Sequence, residues 1–163
     1  MDTSVAAAAA VARLVERHET VATAESLTGG LVAATLVEIP GVSAVFRGGF
    51  VVYATELKAR LAGVPADLLA ERGPVDPDVA LALAAGARTR CVADWGLATT
   101  GVAGPEPQDG KPVGLVYVAV AGPAGAEVRE LKLEGNRAVI RTKSVTAVLS
   151  LLSEKLQEVS SAA

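Results

Sequence analysis

The residues best suited to chemistry lie in one short polar stretch, Ala24-Glu25-Ser26-Leu27-Thr28-Gly29-Gly30. The apolar pattern of residues 19–24 predicts a strand before it, and residues 31–38 predict a helix after it. The first N–H groups of a helix lack partners and lie at the positive end of its dipole, so they favour an anion or an oxyanion. Ser26 and Thr28 place hydroxyl groups beside them. The structural alternative is that Ser26 or Thr28 only caps the helix and that the glycines only ease packing.

A tyrosine and a lysine follow the next predicted strand, residues 45–53, in which Gly48 and Gly49 predict a bulge or kink. Lys58 lies five residues after Tyr53, where the strand gives way to a short helix. It can therefore lean over the sheet edge that carries Ser26. A desolvated lysine with a lowered pKa can act as a base, whereas the ordinary alternative is a solvated surface lysine.

A loop rich in glycine and proline, residues 102–112, follows a predicted buried strand at residues 95–101. It resembles a phosphate-binding loop, but Gly104 and Gly110-Lys111 are one residue too far apart, and Pro112 stands where a Ser or Thr should bind magnesium. We therefore reject a P-loop. The density of Pro and Gly predicts a rigid wall of a pocket instead.

The last predicted helix begins after Asn136, which is a suitable cap. Arg137 and Arg141 lie one helical turn apart on one face, so two guanidinium groups can meet one phosphate or carboxylate. The alternative is a solvated helix face. Before this helix, residues 113–121 and 126–134 predict a β-hairpin, and the second strand alternates charged and apolar residues as an edge strand does.

Composition limits the class of protein. A chain of 163 residues with 51% hydrophobic and 20% charged residues predicts one domain, residues 1–163. A net charge of −3 and 3% aromatic residues argue against nucleic-acid binding. With one Cys and one His, we expect no disulfide and no metal cluster, and a reducing cytoplasmic location. No apolar run reaches about 18 residues, which predicts no membrane span.

Alternating strands and helices predict a three-layer α/β/α fold with a mixed sheet of about five strands.

Several motifs, in this order along the chain, resemble the CinA C-terminal domain family. The resemblance covers nearly the whole chain and implies a three-layer fold and a nicotinamide-nucleotide amidohydrolase. Such an enzyme converts nicotinamide mononucleotide to nicotinic acid mononucleotide and ammonia, with no metal or redox cofactor. The motifs are Ala24-Glu25-Ser26-Leu27-Thr28-Gly29-Gly30, Tyr53 with Lys58, Gly73-Pro74-Val75-Asp76, Thr100-Gly101-Val102-Ala103-Gly104-Pro105 with Lys111-Pro112-Val113-Gly114, and Gly135-Asn136-Arg137 with Arg141.

The resemblance also implies roles for individual residues. It makes Ser26 the nucleophile, Lys58 the activating base and Tyr53 a supporting hydroxyl. The implied substrate contacts are Thr28, Gly29, Gly30, Gly101, Ala103, Gly104, Arg137 and Arg141.

Three positions depart from the family pattern. Thr55 stands where the family has Asn, Asp76 where it has Ser, and Glu106-Pro107-Gln108-Asp109 replaces a glycine-rich run. Glu106 and Asp109 would repel a phosphate if they faced it. The other function to consider is therefore a catalytically silent domain that binds a nucleotide or a protein partner. The exposed edge strand favours a homodimer.

Overall fold

A five-stranded mixed sheet forms the middle layer of the structure, a computed structural model that describes residues 2–162. The sheet order is β2-β1-β3-β4-β5. Strand β1 pairs in parallel with β2 and β3, whereas β4 pairs antiparallel with β3 and β5. This confirms the predicted mixed sheet and places the second hairpin strand at an edge. The strands are β1 (Val21–Glu25), β2 (Phe46–Val51), β3 (Trp95–Gly101), β4 (Leu115–Gly122) and β5 (Gly125–Lys132).

Helices cover both faces of the sheet, so the predicted three-layer α/β/α fold is confirmed. The first core cluster lies between one face and α1 (Thr3–Arg17), α2 (Leu31–Val37) and α6 (Arg137–Ala162). The second lies between the other face and α3 (Thr55–Arg60), α4 (Ala66–Arg72) and α5 (Pro77–Arg90). No helix within residues 2–162 is both long and apolar enough to cross a membrane.

The two faces of the sheet carry side chains of different size. Strand residues facing α5 are mostly small, such as Ala24 and Ala98, and α5 itself presents alanines. The backbones approach so closely that a Cβ on Gly96 would lie 2.0 Å from the carbonyl oxygen of Ala84. The opposite face packs larger residues, such as Leu97 of β3 with Leu152 of α6. The layer of α5 is therefore fixed by backbone approach and the other layer by side-chain packing.

A bulge fixes the position of β2 against β1. Val21 pairs with Phe46 but Ala22 pairs with Gly48, so the residue between these two partners on β2 is extra, as the Gly-Gly pair predicted. A Cβ on Gly49 would lie 2.2 Å from Oγ1 of Thr23, which leaves room there for glycine alone. The end of β2 is thereby held close to the end of β1.

The carboxyl ends of β1, β2 and β3 lie at one edge of the sheet because the three strands are parallel. The segments at residues 26–30, 52–58 and 101–104 leave the sheet there, which is where ligands bind in open α/β sheets. Helix α6 also begins nearby, and Oδ1 of Asn136 accepts a hydrogen bond from the Val139 N–H at 3.0 Å. The predicted cap is confirmed.

Candidate active site

A serine and a lysine meet at this edge of the sheet. Ser26 directly follows β1, and its N–H donates to the Thr99 carbonyl at 3.0 Å, so β3 fixes its backbone. Lys58 lies on α3, and its Nζ is 2.9 Å from Oγ of Ser26. The side chain of Lys58 is only 1% exposed, so it is not the solvated surface lysine of the alternative reading.

Two backbone carbonyls complete the surroundings of the lysine. Nζ of Lys58 donates to the carbonyl of Val52 at 2.7 Å and to that of Tyr53 at 3.3 Å. All three partners of Nζ are uncharged oxygens. Burial lowers the pKa of Lys58 to about 8, against a smaller opposing effect of Glu56. A neutral amine has two N–H groups for the two carbonyls and one lone pair for the Ser26 hydroxyl, which is the arrangement that a general base requires.

A cavity of about 90 Å³ opens beside this pair. Its wall includes Ser26, Lys58 and residues 101–104, so the loop predicted to form a pocket wall does so. Gly104 has a φ of 86°, and a Cβ there would lie 2.7 Å from Cγ1 of Val113. That position therefore admits only glycine without strain. Gly101, Ala103 and Gly104 thus line the cavity, as expected of substrate contacts.

Arg137 joins two parts of the cavity wall. Its guanidinium group donates to the carbonyl of Gly104 and, at 3.0 Å, to the Tyr53 hydroxyl. Tyr53 is 61% exposed, and only its backbone carbonyl contacts Lys58. The expected supporting hydroxyl of Tyr53 is therefore held by Arg137 rather than by the serine and lysine.

Arg141 lies outside the cavity wall, in contrast to the predicted pair of arginines on one anion. Its Nε donates to the Leu27 carbonyl and its Nη2 to the Thr28 carbonyl, each at 3.0 Å. The long side chains of Arg137 and Arg141 diverge although their spacing puts both on one helix face. Arg141 thus fastens the segment that follows Ser26.

The start of α2 is occupied by the side chain of Glu25, a role that the sequence reasoning missed. This carboxylate is 1% exposed and accepts hydrogen bonds from four donors around the first helical turn. The donors are Oγ1 of Thr28 at 2.6 Å and the N–H groups of Gly30 at 3.2 Å, Val32 at 2.9 Å and Ala33 at 3.0 Å. The predicted anion site at the helix start is therefore already filled from within the protein.

Three expected substrate contacts, Thr28, Gly29 and Gly30, do not line the cavity. The hydroxyl of Thr28 bonds to Glu25 and lies 2.8 Å from Oγ1 of Thr99, and neither Gly29 nor Gly30 lines the cavity. The N-cap residue Gly30 has no side chain to accept these bonds. One signal in the sequence could have found this role. Glu25 precedes a helix whose N-cap is a glycine, so the helix has no capping side chain of its own.

Backbone N–H groups remain available beside Ser26. Leu27 and Ala103 both line the cavity, and within residues 2–162 no acceptor is bound to the N–H of either residue. They belong to two different segments, one after β1 and one after β3. Their N–H groups are therefore the candidate donors to a carbonyl oxygen bound beside Ser26.

The residues that depart from the family pattern lie in different parts of the structure. Thr55 begins α3, and Asp76 caps α5 by accepting from the Asp78 N–H at 2.8 Å. Glu106 lines the cavity, whereas Asp109 does not. In the described part of the chain, no group of three or more His, Cys, Asp or Glu residues is arranged to hold a metal ion.

Comparison with known proteins gives consistent matches. The model of the CinA C-terminal domain family matches residues 3–156. A CinA-like protein of Frankia casuarinae is 52% identical over 88% of this chain and 33% of its own length. A putative competence-damage inducible protein of Desulforamulus reducens is 46% identical over 88% of this chain and 35% of its own length. This chain thus spans about a third of the length of these curated relatives.

Solved structures match along nearly their whole length. The competence/damage inducible protein CihA of Agrobacterium tumefaciens has a TM-score of 0.91 at 36% identity and covers 96% of both chains. The competence damage-inducible protein A of Klebsiella pneumoniae has a TM-score of 0.93 at 31% identity, over 96% of this chain and 98% of that one.

Proposed function

This chain belongs to the CinA C-terminal domain family, and from that premise we propose that it is a nicotinamide-nucleotide amidohydrolase. It converts nicotinamide mononucleotide and water to nicotinic acid mononucleotide and ammonia. The observation that carries the proposal is the 2.9 Å contact between Nζ of the buried Lys58 and Oγ of Ser26. Amide hydrolysis needs a nucleophile and a base in hydrogen-bonding contact, and this pair supplies both.

In the first half-reaction, Oγ of Ser26 attacks the carboxamide carbon while its proton passes to the neutral amine of Lys58. The negative charge that develops on the carboxamide oxygen is stabilised by the N–H groups of Leu27 and Ala103. The C–N bond then breaks, and the ammonium group of Lys58 returns the proton to the leaving nitrogen. Ammonia leaves, and the nicotinoyl group remains as an ester of Ser26.

In the second half-reaction, a water molecule gives a proton to Lys58 and attacks the ester carbon. The bond to Oγ of Ser26 breaks, and Lys58 returns the proton to the serine. The acid product leaves with the site restored. Burial of Lys58 lets one amine act as base and acid at near-neutral pH, because a pKa of about 8 keeps both of its forms accessible.

Arg137 is the arginine within the cavity wall, so we assign the substrate phosphate to it. Arg141 instead holds the carbonyls of Leu27 and Thr28 and thereby positions the segment that follows the nucleophile.

The direct test is ammonia release from nicotinamide mononucleotide by the purified chain, with the acid product identified by chromatography. We expect both products in equal amounts. A folded chain that binds the nucleotide without releasing ammonia would overturn the proposal and leave the silent binding domain as the alternative.

A further inference from the structure

We propose that Glu106 is a specificity-determining residue that recognises the positive charge of the substrate's pyridine ring. The inference rests on the proposed function and deepens it by assigning the residue that selects the charged form of the ring. Glu106 belongs to the segment in which this chain departs from the family pattern. The usual glycine-rich run has no side chain that could serve in this way.

Three charged side chains line the cavity: those of Lys58, Glu106 and Arg137. Lys58 has three oxygen partners, and Arg137 donates to the Gly104 carbonyl and the Tyr53 hydroxyl. Glu106 has no hydrogen bond or ion pair to any residue of the described range 2–162. It is thus the charged group of the cavity wall that has no partner within this part of the chain.

Glu106 and the proposed nucleophile Ser26 line one cavity of about 90 Å³. In nicotinamide mononucleotide, the carboxamide and the ring nitrogen belong to one six-membered ring, so a carboxamide at Ser26 holds the ring nitrogen within that space. Alkylation by the ribose gives this nitrogen a positive charge. The exposed carboxylate of Glu106 attracts this charge at the cavity wall, with an energy reduced by the surrounding water.

The two exposed charges of the wall then match the two charges of the substrate. Glu106 faces the positive ring and Arg137 faces the negative phosphate. This orientation also removes the conflict that the sequence raised, because the carboxylate of Glu106 does not have to lie beside the phosphate.

The test compares two ligands that share the phosphate, the ribose and the carboxamide but differ in the charge of the ring. These are nicotinamide mononucleotide and its reduced dihydropyridine form, which is neutral at the ring. Dissociation constants are measured by calorimetry on Ser26→Ala protein, in which no turnover interferes. We expect the oxidised form to bind at least about tenfold more tightly, and Glu106→Gln in the same background to abolish this preference.

The matched control is Asp109→Asn, which removes the same charge from the same loop outside the cavity wall. It should retain the full preference for the oxidised form. Equal binding of the two forms, loss of all binding to Ser26→Ala protein, or a preference that survives Glu106→Gln would each overturn the inference. Failure of the proposed function is a separate result, because it would appear as absence of ammonia release by the wild-type chain.

Discussion

Two buried charged side chains flank the Ser26 segment, and they are used in opposite ways. Glu25 and Lys58 are each 1% exposed. Every side-chain hydrogen bond of Glu25 within residues 2–162 goes to the loop and first turn of α2, so its carboxylate holds the backbone there. Nζ of Lys58 instead bonds to two backbone carbonyls and to the hydroxyl of Ser26. Ser26 lines the cavity.

Glu25 and Lys58 are equally buried, so the difference between them lies in their hydrogen-bond partners, of which Lys58 has the Ser26 hydroxyl. A buried carboxylate surrounded by fixed donors stabilises one conformation of the chain. The three uncharged partners of Lys58 do not offset its desolvation, and its lowered pKa makes the neutral amine accessible. Burial therefore serves structure at Glu25 and, in the proposed mechanism, chemistry at Lys58, and mutation can separate the two.

The sharpest separation comes from Ser26→Ala. This change removes the proposed nucleophile, so ammonia release should fall by roughly a thousandfold or more. The free energy of unfolding should change by less than about 1 kcal/mol, because Ser26 does not cap α2 and its backbone bond to Thr99 remains. Steady-state ammonia assays and urea unfolding measure the two effects. Near-normal turnover would remove Ser26 from the mechanism.

Glu25→Ala should show the reverse balance. It leaves one hydroxyl, the buried N–H of Val32 and the partly buried N–H groups of Gly30 and Ala33 without their acceptor. We therefore expect a loss of about 3 kcal/mol in the free energy of unfolding. The matched control is Glu38→Ala at the other end of α2, where the side chain is exposed and the expected change is within about 0.5 kcal/mol. Urea unfolding measures both. Equal stability of the two variants would contradict the structural role of Glu25.

The two arginines extend the contrast between binding and positioning. Arg137→Ala should raise KM for nicotinamide mononucleotide by the equivalent of about 1.5–3 kcal/mol, the range for hydrogen bonds to a charged group, and should change the riboside reaction little. Arg141→Ala should lower kcat for nucleotide and riboside alike, because it releases the segment after Ser26. Steady-state measurements of kcat and KM for the nucleotide and the riboside distinguish the two roles. A loss specific to the nucleotide in Arg141→Ala would return that residue to the phosphate.

The smallest expected effect is the change in kcat/KM with each unit of pH. Only neutral Lys58 can accept the Ser26 proton, so kcat/KM should rise about tenfold per pH unit below about 8 and level off above it. The free energy of unfolding should also rise with pH. The pKa of Lys58 is lowered on folding, so the unfolded chain binds more protons above pH 8 and the free energy of unfolding rises with pH up to the unfolded pKa of 10.5.

Two variants test this assignment. Lys58→Arg keeps a positive charge at every pH and should be inactive throughout the profile. Lys58→Met has no group to titrate, so the rise in unfolding free energy between pH 8 and 10 should be smaller in this variant than in the wild type. A flat rate profile in the wild type would assign the base to another residue.

The meeting of Ser26 and Lys58 could be predicted from sequence because the topology of the sheet brings them together. Ser26 and Lys58 each follow one of two parallel strands that turn out to be neighbours, so both reach the same sheet edge. The role of Glu25 depends on a side chain that reaches forward to the Ala33 N–H, which no periodicity reveals. The arginines show the same limit, since helical spacing places Cβ atoms but not guanidinium groups several bonds away.

The segment that carries Glu106 is fastened at its base and paired at its tip. The Val102 N–H donates to Leu115 at 2.9 Å, and the Gly114 N–H donates back to Val102 at 2.8 Å. Beyond this closure, Gln108 and Lys111 bond to each other through their backbones at 3.1 and 2.8 Å. Because backbone groups make these bonds, side chains of residues 105–111 can change without breaking them. Substitutions in this segment are therefore the way to vary ligand choice while the serine, the lysine and the sheet beneath them stay in place.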